Sequence, residues 1–219
     1  MRHQLLWISL AASVLVSGAS AAEPLRYRAQ PDHGRAWVID ADGLFLEEAR
    51  KPRRGIRLAG WQWAAEPYAC APDIAIGPRG EAIVTSNVLP DLWKIDPNTL
   101  VVSVRRLELD SDTDKDVGFS SLVYSARHGA YFAVSEQHGS LWRIDPLLRR
   151  AQKIGAAQPA RGACGLTVQR QERASRLSTL CLQGKGQSWL VNLAPDQRSA
   201  YVQTDACSYN PYTVIGGMK

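Results

Sequence analysis

The sequence is short of the residue patterns by which catalytic sites usually announce themselves. It has no Cys-x-x-Cys pair, no glycine-rich phosphate loop and no Ser, His and Asp in a nucleophilic-triad order. Dithiol redox chemistry, nucleotide binding of the phosphate-loop kind and serine-type hydrolysis therefore have no motif to rest on. Histidine is scarce, with 4 in the chain, and zinc needs three or four converging ligands. Neither charge sign dominates: 26 Lys+Arg stand against 21 Asp+Glu, a formal net charge of +5. So mild a balance does not make the basic face that nucleic acid needs, and no nucleic-acid partner is expected. Beyond residue 21 no apolar run approaches the ~20 residues of a spanning helix.

What is present begins with an export signal. Residues 1–21 carry Arg2, an apolar run over 5–16 and the small residues Ala19-Ser20-Ala21, the pattern of a cleavable secretory signal peptide. The expectation is a periplasmic or secreted protein with no membrane span after cleavage, made of one domain over residues 22–219. Four cysteines, Cys70, Cys164, Cys181 and Cys207, follow the signal, an even number suited to an oxidising compartment.

The rest of the chain is repetitive. Leu92-Trp-Lys-Ile-Asp-Pro97 returns as Leu141-Trp-Arg-Ile-Asp-Pro146, and looser versions sit at Trp189 and Trp37, so a Trp with alternating apolar neighbours recurs about every 50 residues. That period fits propeller blades of four strands. Two apolar runs precede Trp93, Trp142 and Trp189, and one follows each, over 101–109, 151–154 and 200–203. Trp37 has only residues 25–30 ahead of it, whereas Ala206-Cys207 near the end resembles Ala69-Cys70 and Ala163-Cys164, which open innermost strands. The expected fold is all-β: a small β-propeller of four blades, each of four antiparallel strands, closed by the C-terminal strand, a device that removes sheet edges.

Four cysteines allow three connectivities. The repeat register favours Cys164–Cys181 across a hairpin with Cys70–Cys207 between neighbouring blades, over Cys164–Cys207 with Cys70–Cys181. In the Trp hairpins Asp40, Asp96, Asp145 and Asn192 hold equivalent turn positions, which points to Asx turns capping the backbone.

The Leu-Trp-Lys/Arg-Ile-Asp-Pro hairpins resemble blades of the NHL, YVTN and lactonase-like propeller superfamily. The likeness is one of pattern and spans nearly all of residues 22–219. It implies the fold and transfers no catalytic residue, because the group includes lactonases, a streptogramin lyase and many binding or scaffolding proteins.

Candidate sites gather on the face formed by the connectors 57–69, 110–118 and 155–163 and by the turns between second and third strands. Trp61, Trp63 and Tyr68 could stack on a ligand or wedge between blades. His33 and His138 lie in two His-Gly turns expected at that face. Asp110, Asp112, Asp114 and Asp116 alternate as calcium ligands can, but Lys115 stands where an EF-type loop needs Gly and Ser121 where it needs Glu. An acidic solvated connector is the plainer reading, with no cofactor expected and calcium as the alternative. Near the axis only Asp73 and Asn210 stand out. The leading expectation is a non-catalytic module binding a protein, peptide or small ligand. The second is a metal-dependent hydrolase or lyase of the lactonase-like kind, built on Asp73 and Asn210.

Overall fold

Short apolar-polar alternations, cut every few residues by Asp, Asn, Gly or Pro, leave the backbone little choice but extended segments and tight turns. The computed structural model describes residues 25–65, 70–110, 118–154, 161–168, 178–184, 187–193, 200–203 and 213–215. The segment read as a signal peptide lies outside them. Among the described residues there is no α-helix, and four sheets form a four-bladed propeller.

Blade one contains β1 (Arg26–Gln30), β2 (Arg35–Asp40), β3 (Gly43–Glu48) and β4 (Arg54–Ile56). Blade two is β5 (Ile74–Ile76), β6 (Ala82–Val84), β7 (Leu92–Ile95) and β8 (Val102–Arg105). Residues 101–109, expected as one strand, are two: β8, then β9 (Glu108–Leu109), which crosses to pair in parallel with the outer strand of blade three. That blade is β10 (Ser121–Ser125), β11 (Ala130–Val134), β12 (Leu141–Ile144) and β13 (Arg150–Ile154). Blade four is β14 (Ala163–Val168), β15 (Ser178–Gly184), β16 (Gln187–Leu193) and β17 (Ala200–Gln203). The C-terminal strand β18 (Thr213–Ile215) returns to pair antiparallel with β1, Arg26 opposite Ile215, so the tail closes on the first blade as expected but makes its sheet five-stranded.

Packing between blades holds the ring. Trp93 and Ile95 of blade two meet Trp37, Ile39, Leu44 and Leu46 of blade one. Trp142 and Ile144 meet Ile83 and Leu92 of blade two, and Leu166, Leu180 and Val191 of blade four meet Phe132 and Val134 of blade three. Each large apolar side chain buried in this way stabilises by roughly 1.5–3 kcal/mol.

Two features depart from the regular repeat. Trp93, Trp142 and Trp189 face the preceding blade, but Trp37 faces the following one. The cause is direction: Arg26 at the start of β1 bonds to Ala71 and Pro72 ahead of β5, and Gln30 at its end bonds to Gly80 beyond β5. So β1 and β5 run the same way, and the strand bearing Trp37 runs opposite to those bearing the other three. The cysteines also pair differently. Cys70 is bonded to Cys164, with Cα atoms 5.0 Å apart. In the β14–β15 hairpin Cys181 stands opposite Thr167, while the register slips at Cys164 between Ala163 and Gly165, so Cys164 and Cys181 do not meet. The bridge instead joins blades two and four across the ring, a reach open only to a small ring. Cys181 is disulfide-bonded too, and the chain's remaining cysteine, Cys207, lies outside the described residues.

Candidate functional site

The inner strands β5, β10 and β14, and β1 beside them, all start at one end of the ring, where long connectors enter. Arg26 at the start of β1 reaches across that end. Its Nε donates to the Pro72 carbonyl at 3.3 Å, and its Nη2 to the carbonyls of Ala71, Ser120 and Cys164 at 3.4, 3.3 and 3.0 Å. One side chain from blade one thus touches the openings of the inner strands in the other three blades. It is only 1% exposed.

A charge so buried needs a partner, and Asp73, also 1% exposed, supplies it. Its Oδ1 lies 3.4 Å from Arg26 Nε and 3.3 Å from Arg28 Nη2, and accepts the Ile74 N–H at 2.8 Å. Its Oδ2 accepts the Ser121 hydroxyl at 2.6 Å and the Leu122 N–H at 3.0 Å. Burial alone would push the Asp73 carboxyl up. The cations Arg26 and Arg28, with the bonds from Ser121 and Leu122, outweigh it and hold the group below the usual carboxylate range. Burial pulls the Arg26 guanidinium down from its ordinary value, with Asp73 opposing. Both oxygens of Asp73 accept hydrogen bonds within the fold. Its expected companion Asn210 lies outside the described residues.

Around this ion pair the connector 57–65 is tied down from blade two. Asn87 accepts the Ala64 N–H at 3.0 Å and donates to the carbonyls of Ala64 and Cys70 at 2.6 and 3.1 Å. The Ser86 hydroxyl donates to the Gln62 carbonyl at 2.6 Å, and the Trp93 indole to Ala59 at 2.8 Å. Trp61 donates its indole N–H to the Thr85 carbonyl at 2.8 Å and packs on the core between blades one and two, which makes it a wedge. Trp63 is half-buried, and its indole has no hydrogen-bond partner among the described residues. Tyr68 lies outside them. From blade three, Glu136 accepts the Cys70 N–H at 2.9 Å.

The two His-Gly turns separate. His138, between β11 and β12, belongs to the connector end. His33 belongs to the opposite end, because its turn follows β1 as the Gly77–Gly80 turn follows the parallel β5, and an added Cβ on Gly80 would lie 2.9 Å from the His33 ring. The expectation that both lie on one face is thus corrected by the direction of β1, and the two imidazoles cannot share a ligand. Of the alternating aspartates, Asp110 accepts the Lys153 N–H at 2.8 Å; Asp112, Asp114 and Asp116 lie outside the described residues. The repeated turn aspartates cap backbone as expected: Asp40 accepts from Asp42, Asp96 from Asn98 and Thr99, and Asp145 from Leu147, Arg149 and Arg150. A groove of about 470 Å³ runs along the rim of blade three between β9, β12 and β13, lined by Glu108, Asp110, Arg143 and Gln152 among others.

Sequence reasoning missed Arg26 and Arg28. They alternate with Tyr27 and Ala29 in an ordinary strand pattern, and nothing local says that their side faces inward.

No family model matches the sequence, and no curated protein matches it. Among solved structures it is similar to hydrazine synthase of Kuenenia stuttgartiensis, with 11% identity and a TM-score of 0.53 over 84% of this chain and 51% of that one. It is likewise similar to a GH74 xyloglucanase from Xanthomonas campestris, with 14% identity and a TM-score of 0.53 over 77% of this chain and 27% of that one. Virginiamycin B lyase from Staphylococcus aureus aligns with 13% identity and a TM-score of 0.47 over 80% and 50% of the two chains. The chain spans about half the length of the first of these structures and of the lyase, and about a quarter of the xyloglucanase. At such identities the likeness speaks for architecture alone: this chain is a β-propeller.

Proposed function

We propose that the protein is an exported binding or scaffolding module that captures a protein, peptide or small ligand with the connector end of the propeller. The observation that carries this reading is the Arg26–Asp73 pair, which fills the ring axis at that end and engages its carboxylate completely. With the axis occupied by the chain's own charges, binding falls to the loops around it. Those loops are held in place by Asn87, Ser86 and the Cys70–Cys164 bridge, and they present Trp63 with an unbonded indole, the kind of aromatic that anchors interfaces. A disulfide so close to the loops fits an oxidising compartment outside the cytoplasm.

The test is capture of partners from the exported fraction by wild-type and Trp63→Ala protein, with thermal melting as the fold control. Capture lost in a variant that melts like the wild type supports the reading. Equal capture by both rejects the Trp63 surface. Calcium or zinc bound at a whole-number ratio to the purified protein would instead favour the hydrolase or lyase alternative.

A further inference from the structure

Two blades end differently at the rim. In blade three the outer strand β13 is covered by β9, which lies parallel to it: the Glu108 N–H donates to the Arg149 carbonyl at 2.8 Å, the Asp110 N–H to the Ala151 carbonyl at 3.1 Å, and the Lys153 N–H to the Asp110 carboxylate at 2.8 Å. Leu107 and Leu109 pack against the core, and Glu108 pairs with Arg150 at 2.9 Å. In blade two the outer strand β8 ends its sheet, and no strand among the described residues lies beyond it.

The two edges are equivalent residue for residue. Ile95 opposes Val102 as Ile144 opposes Ala151, and Asp96 bonds the Val101 carbonyl as Asp145 bonds that of Arg150. Because an antiparallel ladder alternates inward and outward backbone groups, the carbonyl of Val102 and the N–H of Val104 point outward, as those of Ala151 and Lys153 do. The side chains there are uncovered as well. Val101 is 64% and Val104 41% exposed, two of the three exposed large apolar residues among those described. Arg105 and Arg106 follow, both exposed and neither in an ion pair among the described residues.

We propose that the β8 edge is a docking site for an extended acidic segment of a partner protein, which adds to blade two as a fifth, parallel strand, just as β9 adds to blade three. Apolar residues at alternate positions of the partner lie beside Val102 and Val104, its backbone bonds to their outward groups, and carboxylates follow over Arg105 and Arg106. The occupant is argued from charge complementarity and from the acidic strand that the same molecule already places on the equivalent edge. This surface lies on the rim of blade two and does not depend on the connector end.

The probe is a fluorescent peptide with the sequence of residues 107–112, Leu-Glu-Leu-Asp-Ser-Asp, blocked at both ends, with binding read by anisotropy. Wild type binds it, and binding weakens as salt rises. Val104→Pro removes the outward N–H on an edge strand, where proline is tolerated, and lowers affinity about tenfold or more with the melting temperature little changed. Arg105→Glu with Arg106→Glu lowers it further and reverses the salt dependence, since like charges then face each other. No binding by wild type, or equal binding of a peptide with lysines in place of its acids, overturns the proposal. So does self-association of the protein that Val104→Pro abolishes, since the edge would then be covered by a second copy.

Discussion

Replacing Asp73 with Ala isolates the central ion pair. The substitution leaves Arg26 charged and 1% exposed with only carbonyl dipoles around it, and removing one partner of a buried pair costs about 3–5 kcal/mol. It also strands the buried Ser121 hydroxyl and the Leu122 N–H, which keeps the cost at the upper part of that range. For a domain of this size each kcal/mol moves the melting temperature by about 2–4 °C, so Asp73→Ala should melt about 8–20 °C below wild type by calorimetry. Arg28, 15% exposed and in contact with only one oxygen of Asp73, is a peripheral partner, and Arg28→Ala should lose only a few degrees. The pH profile is a second reading of the same pair. A carboxyl held lower in the folded chain than in the unfolded one contributes stability that is fully present above the unfolded value, near 3.9, and lost as pH falls through the lower folded value. The gap between wild type and Asp73→Asn should therefore be constant near neutrality and close below about pH 4. A loss under about 2 °C for Asp73→Ala, or equal losses for Asp73→Ala and Arg28→Ala, would refute the assignment of this pair as the ring's central tie.

The Cys70–Cys164 bridge closes a loop with a sequence separation of 94, and the chain-entropy model assigns a loop of that size about 4–5 kcal/mol; Cys70→Ser should lower the melting point accordingly, and peptide mapping of the oxidised protein should recover Cys70 joined to Cys164. Gly118→Ala would drive a Cβ into the Asn87 carbonyl carbon, a backbone atom that cannot swing away, so the variant should lose about 3 kcal/mol or more in denaturant titration and loosen the connector 57–65, seen as faster amide exchange at Ala64. Asp145→Asn keeps an oxygen for the turn N–H groups where Asp145→Ala does not, so Asn should restore most of the stability that Ala removes.

How far the fold can be read from the sequence depends on what a strand period encodes. Alternation places Trp93 with Ile95, and Trp142 with Ile144, on one face each, and the spacing of those pairs counts blades; the Ala-Cys openings even locate the tail strand. Alternation does not say which way a strand runs or which face looks inward. Trp37 sits in a run indistinguishable from the others, yet its strand runs the other way because β1 takes the direction of an inner strand. The same blindness hides Arg26 and Arg28, whose polar side is the inner one, against the usual habit of strands. The disulfide escaped for a separate reason: the slip at Cys164 is a single-residue irregularity in β14, and the distance between opposite blades follows from ring size, which no local pattern carries.

Ring size also accounts for where binding can occur. With few blades, the inner strands start close enough together that one guanidinium spans three of the openings and a disulfide joins opposite blades. Such a centre favours filling by the chain's own groups, since an empty polar shaft of that width would leave the carbonyls of Ala71, Ser120 and Cys164 without donors. Once Arg26 is drawn in, its charge requires Asp73, and Asp73 in turn gathers Ser121 and Leu122 from blade three. The axis becomes a fixed bolt. The two proposed binding surfaces lie at the periphery: the connectors braced by Asn87 at one end, and the edge of β8 at the rim. These two surfaces share no residue, so losses at Trp63 and at Val104 should be independent, and a partner sensitive to both would have to span from the connector end to the outer edge of blade two.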